Sequence, residues 1–382
     1  MIPYGRQDIT QADIDAVVEV LRSDFITQGP VVDQFETALA EKCGVSHAIA
    51  MNSATSALHV AVAALSLGAG DLIWTSPITF VASANCGRYV GAEVDFVDID
   101  PETFNMCPSA LAAKLEHAKS IGRLPKVIIP VHMCGQSAAM RQISELARPL
   151  GIRVVEDASH AVGGSYMGSP VGSCQYSDIT VFSFHPVKII TTAEGGMALT
   201  NNSDLALRME RLRSHGITRD PELMTHEPDG PWYYQQIELG WNYRMTEIQA
   251  ALGLQQQKRL ENYVHRRNVL ADRYDLLLAD LPLDRPGRLE GVLSTFHLYV
   301  IRLHQESRRR SVFEALRAEG IGVNLHYVPV HLQPYYRELG FSDGDFRRAE
   351  DYYKRAISIP LYSGLADEEQ DLVVAALERA LT

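Results

Sequence analysis

Phe182-Ser183-Phe184-His185-Pro186-Val187-Lys188-Ile189-Ile190-Thr191-Thr192-Ala193-Glu194-Gly195-Gly196-Met197 closes one apolar, β-rich run, carries a lysine through a turn, and opens a second run after a glycine pair. A lysine among apolar neighbours just past a buried strand is unusual. Its ammonium prefers water, and burial lowers its pKa and frees the amine as a nucleophile. A long side chain that snorkels in a purely structural role is the alternative reading. The chain has seven lysines, and most of the others stand in polar, helix-like or turn-like settings.

Short apolar runs flank this stretch on both sides. His47–Met51, Leu72–Thr75, Val94–Val97, Val127–Val131, Arg153–Val155, Ile179–Phe184 and Met197–Thr200 read as strands. Helical patterns lie between several of them: Ser56–Leu67, Pro108–Ala118 and Met140–Leu150. Upstream, Thr10 caps a helix with Ile14, Val17, Val18 and Leu21 on one face, and a second helix runs from Val32 to Lys42 before Gly44. Strands alternating with helices predict an α/β layer with a mostly parallel sheet over roughly residues 20–230. Beyond it, Thr246–Leu281 reads as one long helix. Strands at Phe296–Leu303 and Val323–Tyr327 and helices at Ser311–Glu319 and Asp367–Leu381 follow, as in a smaller α+β domain. Thr218–Pro231, polar and rich in Pro and Gly, reads as a loop.

Bulk properties narrow the function. The 382 residues are 46% apolar and 21% charged, as in a soluble globular chain. A net charge of −12 argues against nucleic-acid binding. Arg308-Arg309-Arg310 reads as a solvated helix face. No stretch has the length of a membrane span, and the first residues lack a secretory pattern. The five cysteines are widely spaced with no Cys-x-x-Cys, which suits reduced thiols in a cytoplasm and offers no zinc site.

Two further segments carry chemistry. Asn52-Ser53-Ala54-Thr55-Ser56 joins a strand to an apolar helix, where small residues, hydroxyls and first-turn N–H groups make either an N-cap or an anion site. Glu156-Asp157-Ala158-Ser159-His160 ends a strand at the sheet edge where α/β proteins place ligands. Asp157 and His160 admit a metal, but no further ligand follows at a suitable spacing. A phosphate-binding helix start, a carboxylate for a ring nitrogen and a nucleophilic lysine are together what pyridoxal 5'-phosphate requires.

With these motifs the chain resembles the DegT/DnrJ/EryC1/StrS sugar aminotransferases, within the fold-type I pyridoxal-phosphate enzymes. The resemblance runs over nearly the whole length. It rests on Thr27–Pro30, Asn52–Leu58, Pro77–Ala82, Glu156–Ala161, Phe182–Gly196, Arg213–Gly216 and Gly240–Leu252. Within the family, the Asn52–Leu58, Phe182–His185 and Ile190–Gly196 phrases are most similar to the branch serving pseudaminic acid biosynthesis.

The resemblance implies a large cofactor-binding α/β domain over residues 1–240, whose N-terminal segment packs on a small α+β domain over 241–382. It implies that Lys188 holds the cofactor as a Schiff base, Asp157 pairs with the ring nitrogen, His160 lies near the ring hydroxyl and Phe80 stacks on the ring. Ala54, Thr55 and Ser183 would hold the phosphate. Asn242 would reach the cofactor of a partner subunit in a homodimer. Tyr4, Asp24, Phe25, Ile26, Thr27, Asn324, His326, Tyr327 and His331 are the implied sugar and nucleotide contacts. The implied reaction carries an amino group from L-glutamate to a UDP-linked 4-keto-6-deoxy-N-acetylhexosamine, with pyridoxamine 5'-phosphate as the intermediate cofactor form. Transfer to another nucleotide-linked keto-sugar, of the perosamine or 4-amino-arabinose type, is the alternative. A family dehydratase would carry histidine where this chain has Lys188, and a non-catalytic relative would be expected to lose the lysine or the aspartate.

Overall fold

In the computed structural model, which describes residues 1–381, the predicted strand–helix alternation forms a seven-stranded sheet. Its strands are β1 (His47–Met51), β2 (Leu72–Thr75), β3 (Glu93–Phe96), β4 (Val127–Ile129), β5 (Arg153–Asp157), β6 (Ile179–Ser183) and β7 (Gly196–Thr200). In space they run β1-β7-β6-β5-β4-β2-β3. Pairings among β3, β2, β4, β5 and β6 are parallel, and β7 lies antiparallel between β6 and β1. Central strands such as Val127-Ile128-Ile129 and Ile179–Ser183 are buried along their length, as a sheet covered on both faces requires.

Helices α1 (Gln11–Arg22), α2 (Pro30–Cys43), α3 (Ala54–Ala64), α4 (Ala82–Tyr89), α5 (Pro108–Ser120), α6 (Met140–Ala147) and α7 (Ser203–Leu212) accompany this sheet. Thr10 closes a capping box with Asp13 at the start of α1, and Gly44 ends α2 in the left-handed conformation that its missing Cβ permits.

The predicted long helix is two: α8 (Glu247–Gln257) and α9 (Leu260–Leu277). Arg259 stands at the break with φ −106° and ψ 2°, where its guanidinium donates to the buried Asp13 at 2.6 Å and to the Tyr263 hydroxyl at 2.8 Å. Tertiary anchoring to α1 overrides local propensity there. The start of α9 packs Leu260 and Val264 into the core beneath the large sheet. Its later turns pack Leu270, Ala271 and Tyr274 into a second core with Tyr299, Ile301, Ile357 and Val373. That second core also takes Ile2 from the N-terminus, which bridges to Ile321. It surrounds a three-stranded antiparallel sheet of β8 (Leu283–Asp284), β9 (Tyr299–Leu303) and β10 (Ala356–Ile359), with α10 (Arg309–Ala318), α11 (Arg347–Arg355) and α12 (Asp367–Leu381).

Val323–Tyr327 is not a strand. It pairs only through an Asn324–Ser358 bridge, because the Asn324 side chain accepts the Leu325 N–H at 2.8 Å and diverts the backbone from a ladder. The Thr218–Pro231 segment holds only the end of a two-residue strand and one 3₁₀ turn at Pro221–Leu223. All five cysteines are buried and unpaired, and no helix among the described residues is long and apolar enough to cross a membrane.

Phe35 shows how the core bears on the lysine loop. Its ring is fully buried, tilts against Phe184 at 5.2 Å, and leaves no room for a Cβ at Gly253 of α8. Phe35→Ala is expected to cost about 3–5 kcal/mol, read as a lowered denaturation midpoint.

Candidate active site

One cavity of about 920 Å³ opens at the carboxyl edge of the parallel strands, and it gathers residues from distant parts of the chain. Asp157, the last residue of β5, is 5% exposed. Its Oδ2 accepts from the Ser83 hydroxyl at 2.5 Å, and its Oδ1 accepts from the Ser159 hydroxyl at 2.5 Å and the Ser159 N–H at 3.1 Å. Three donors hold the carboxylate in one orientation and offset the loss of water.

Lys188 sits on the ordered turn between β6 and β7. The turn is closed by Phe184 N–H to Gly195 O at 2.9 Å, Thr192 N–H to Phe184 O at 3.0 Å and Lys188 N–H to His185 O at 2.9 Å. Ile189, Ile190, Thr191 and Thr192 beneath it are buried. Lys188 keeps partial exposure to the cavity, but the surrounding protein displaces enough water to depress its pKa to about 8. The charge of Asp157 offsets part of that shift.

The phosphate cup is legible in the backbone. Ser53 caps α3 by accepting the Ser56 N–H at 3.1 Å, while the first-turn N–H groups of Ala54 and Thr55 have no acceptor within a helix. Gly196 lies so close that a Cβ there would stand 2.4 Å from Ala54 N. Only glycine lets β7 pass against this helix start. Thr55 and Ser183 line the same cavity. Phe80 presents a ring that is 57% exposed, although it stands in the cavity wall.

The predicted residues separate into two groups. Ala54, Thr55, Phe80, Asp157, His160, Ser183, Lys188, Tyr4, His326 and Tyr327 all line the cavity. Tyr327 bonds to His160, OH to Nε2 at 3.2 Å, so a residue expected to touch sugar also orients an expected cofactor contact. His160 is held neutral, its pKa well below the ordinary value through burial first and then the charge of Lys188.

Three expectations fail within this chain. His331 is fully buried, accepts or donates at 3.1 Å with Glu350, and packs on Phe96 and Phe346, so it is not free to contact a sugar. Asn324 is committed to the Leu325 N–H and lies outside the cavity lining. Asp24, Phe25, Ile26 and Thr27 are exposed on the surface, with Thr27 bridged to Thr246, and none lines the cavity. Asn242, expected to serve a partner's cofactor rather than its own, is exposed and outside the cavity of its own chain.

Sequence reasoning missed Ser83, His185, Gln249 and His297, which the cavity wall includes or supports. Thr79 and Ser83, four residues apart at the entry to α4 and bonded at 2.6 Å, were a readable signal for the first. His297 carried none.

The residues fit pyridoxal phosphate. The anion cup, the uncovered aromatic face, the triply bonded carboxylate and the desolvated amine surround one space. Among the described residues no cluster of His, Cys, Asp and Glu is arranged to hold a metal. Fold and site define a pyridoxal-phosphate-dependent aminotransferase.

The chain belongs to the DegT/DnrJ/EryC1/StrS aminotransferase family, whose model matches residues 7–378. It is 38% identical over 366 residues to a UDP-4-amino-4,6-dideoxy-N-acetyl-beta-L-altrosamine transaminase of Campylobacter jejuni, covering 95% of this chain and 93% of the relative. The structure of Helicobacter pylori PseC, an aminotransferase involved in the biosynthesis of pseudoaminic acid, matches with TM-score 0.91 at 33% identity over 100% of this chain and 99% of that one. Spr1654 of Streptococcus pneumoniae, named as a sugar aminotransferase and solved in its PMP form, matches with TM-score 0.91 at 31% identity over 100% and 99% of the two chains. It has also been solved in a PLP form. This protein is a sugar aminotransferase that uses pyridoxal phosphate.

Two outcomes follow from the geometry. Removing the Ser83 donor leaves a buried carboxylate lobe short of a partner. Ser83→Ala should therefore weaken cofactor retention by about 1–2 kcal/mol, measured by equilibrium titration of the apoprotein. Lys188, depressed from 10.5 to about 8, should be roughly a tenth unprotonated at pH 7. Borohydride-trapped capture of pyridoxal phosphate should rise with pH around a midpoint near 8 and vanish in Lys188→Ala. Between pH 8 and 10.5 the unfolded chain binds the extra proton, so the stability of the apoprotein contributed by this group rises with pH across that window. A capture midpoint near 10 would contradict the desolvated setting.

Proposed function

We propose that the chain transfers an amino group from L-glutamate to a UDP-linked 4-keto-6-deoxy-N-acetylhexosamine, giving the 4-amino sugar used for pseudaminic acid, and that it works as a homodimer with shared sites. The observation that carries the chemistry is the joint presence of Lys188, Asp157 and the α3 cup on one cavity wall. The similarity to the Campylobacter transaminase and to PseC supports the choice of sugar.

Bound pyridoxal phosphate supplies an electron sink for the carbanion that amino transfer requires. The chain supplies everything else. Asp157, fixed by Ser83 and Ser159, would pair with the ring nitrogen and favour its protonated form. Thr55, Ser183 and the Ala54 and Thr55 N–H groups hold the phosphate at a helix start, where the dipole favours an anion. Phe80 covers one ring face and thereby buries its exposed surface. Lys188, with its depressed pKa, would hold the cofactor through its Nζ, and the same amine is placed to carry a proton to and from the reacting carbon. His160 and Tyr327 border the same space.

The dimer reading draws on Asn242. Its segment is fastened by Asn52 N–H to Tyr243 O at 2.8 Å and by the Ser214–Asn242 bridge, yet Asn242 is exposed and does not line its own cavity. Phe25, Ile26, Trp232 and Leu239 leave exposed apolar surface of the kind that a second copy would cover.

The purified protein should be yellow, lose colour with L-glutamate, and regain it when the correct keto-sugar is added, in ping-pong kinetics. A panel of UDP- and TDP-linked keto-sugars read by product mass decides the substrate. Turnover confined to a 3-keto or a TDP-linked sugar would refute the assignment.

A further inference from the structure

The five residues Ser294–Leu298 run alongside the cavity, with Phe296 in the second core and Leu298 in that of the large sheet, and they are fastened from three sides. Arg267 of α9 is 2% exposed, and its Nη1 donates to the carbonyls of Phe296 at 3.1 Å, His297 at 3.3 Å and Leu361 at 3.0 Å. Among the described residues it has no carboxylate partner. Burying a guanidinium against carbonyls alone costs stability, so the contact calls for a return elsewhere. Thr295 donates its hydroxyl to His160 O at 2.6 Å and its N–H to Gly135 O at 3.0 Å. Gly135 has no space for a side chain, since a Cβ would stand 2.2 Å from Thr295 Oγ1 and 3.0 Å from His297 N. Between these ties Phe296 holds φ at +45°, in the left-handed region that non-glycine residues enter at a cost.

These fastenings deliver the imidazole of His297. It is 4% exposed, lines the cavity, and lies with its ring centre 4.4 Å from that of His160. Its Nδ1 is buried with no hydrogen-bond partner. Burial and the neighbouring charge of Lys188 keep it neutral. Of the other buried imidazoles on the wall, His160 bonds through Nε2 to Tyr327 at 3.2 Å while its Nδ1 is unpartnered too, and His326 bonds through Nδ1 to the Ser358 hydroxyl at 2.8 Å. No arginine lines the cavity.

An amino-acid donor brings a carboxylate one carbon away from the amine that must reach the Lys188 position. That carboxylate needs an N–H donor inside a largely desolvated space. Lys188 would be engaged by the cofactor, and this chain's own part of the wall offers no guanidinium. We propose that His297 binds a carboxylate of the amino-acid donor, and that Arg267 is the positioning residue that aims it. The proposal rests on the amino-acid-donor reading given above.

Holoenzyme carrying His297→Gln and holoenzyme carrying Arg267→Lys test it. Binding of glutarate, a non-reacting dicarboxylate, is measured by titration calorimetry, and the two half-reactions are followed separately by cofactor absorbance. His297→Gln should weaken glutarate and raise the half-saturating L-glutamate concentration roughly ten- to a hundredfold, the loss of one charged hydrogen bond. The half-saturating keto-sugar concentration should stay in place. Arg267→Lys should show the same pattern at smaller amplitude, because an ammonium cannot span three carbonyls as the guanidinium does. Unchanged glutarate binding, a loss confined to the sugar half-reaction, or equal losses in both would overturn the proposal. Wild-type holoenzyme that binds glutarate but does not react with L-glutamate removes the choice of donor instead, and leaves the carboxylate site standing.

Discussion

Two adjacent carboxylates, Glu156 and Asp157, are buried at the end of one strand, and the structure around the site is arranged to satisfy both. An ionised carboxyl withdrawn from water is tolerated only with donors or cations around it. Alternation along β5 sends the two to opposite faces of the sheet. Glu156 accepts from Ser177 at 2.5 Å, from Thr180 at 3.1 Å and from His132 at 2.7 Å, and these donors hold its pKa below the ordinary value against its burial. His132 Nδ1 accepts the Ala138 N–H at 3.1 Å, which leaves Nε2–H as the donor toward Glu156. Asp157 faces the cavity with its own three donors. The strand end is thus locked behind, and the carboxylate in front is free to meet a cofactor.

That arrangement explains why the cavity is bounded by two cores. The large sheet supplies a rigid wall: β5 presents Asp157, the β6–β7 turn presents Lys188, and α3 presents its amide groups. The groups on the opposing side of the cavity come from elsewhere. Tyr4 arrives from the N-terminus, which leaves the large sheet to donate Ile2 to the second core, and His326, Tyr327 and His297 arrive from segments bordering β9 and β10. One side of the cavity is therefore built on strand ends and a helix start, whereas the opposing wall is built from loops. Precision is concentrated where bond-making needs it, and adaptability where different sugars must be told apart.

The same division decides what the sequence could reveal. Strands such as His47–Met51 and Leu72–Thr75 were read to the residue because a run buried on both faces is apolar throughout and bounded by turn residues. The cup and the lysine turn were legible because each is a local chain segment whose residue types state its purpose. His331 misled because a histidine after Pro-Val looks available until the Glu350 partner, nineteen residues on, and the rings of Phe96 and Phe346 are in place. Asn324 misled by the reverse route, since its own side chain ended the strand that the β-rich pattern predicted. The break at Arg259 and the presence of His297 in the cavity depend on Asp13 and Arg267, contacts far off in sequence that no periodicity signals.

Asn242 marks where a single chain stops explaining itself. Trp241 and Tyr243 stack at 5.7 Å on either side of it, His59 of α3 packs on Trp241 at 4.1 Å, and Tyr243 O accepts the Asn52 N–H. The segment is therefore bolted to the same helix whose first turn forms the phosphate cup. On the dimer reading, the group sent across to a partner's cofactor is held by the strand end and helix that cradle the chain's own. The burial of His59, which drops its pKa to about 4, keeps its ring neutral near pH 7, so the packing against Trp241 carries no buried charge.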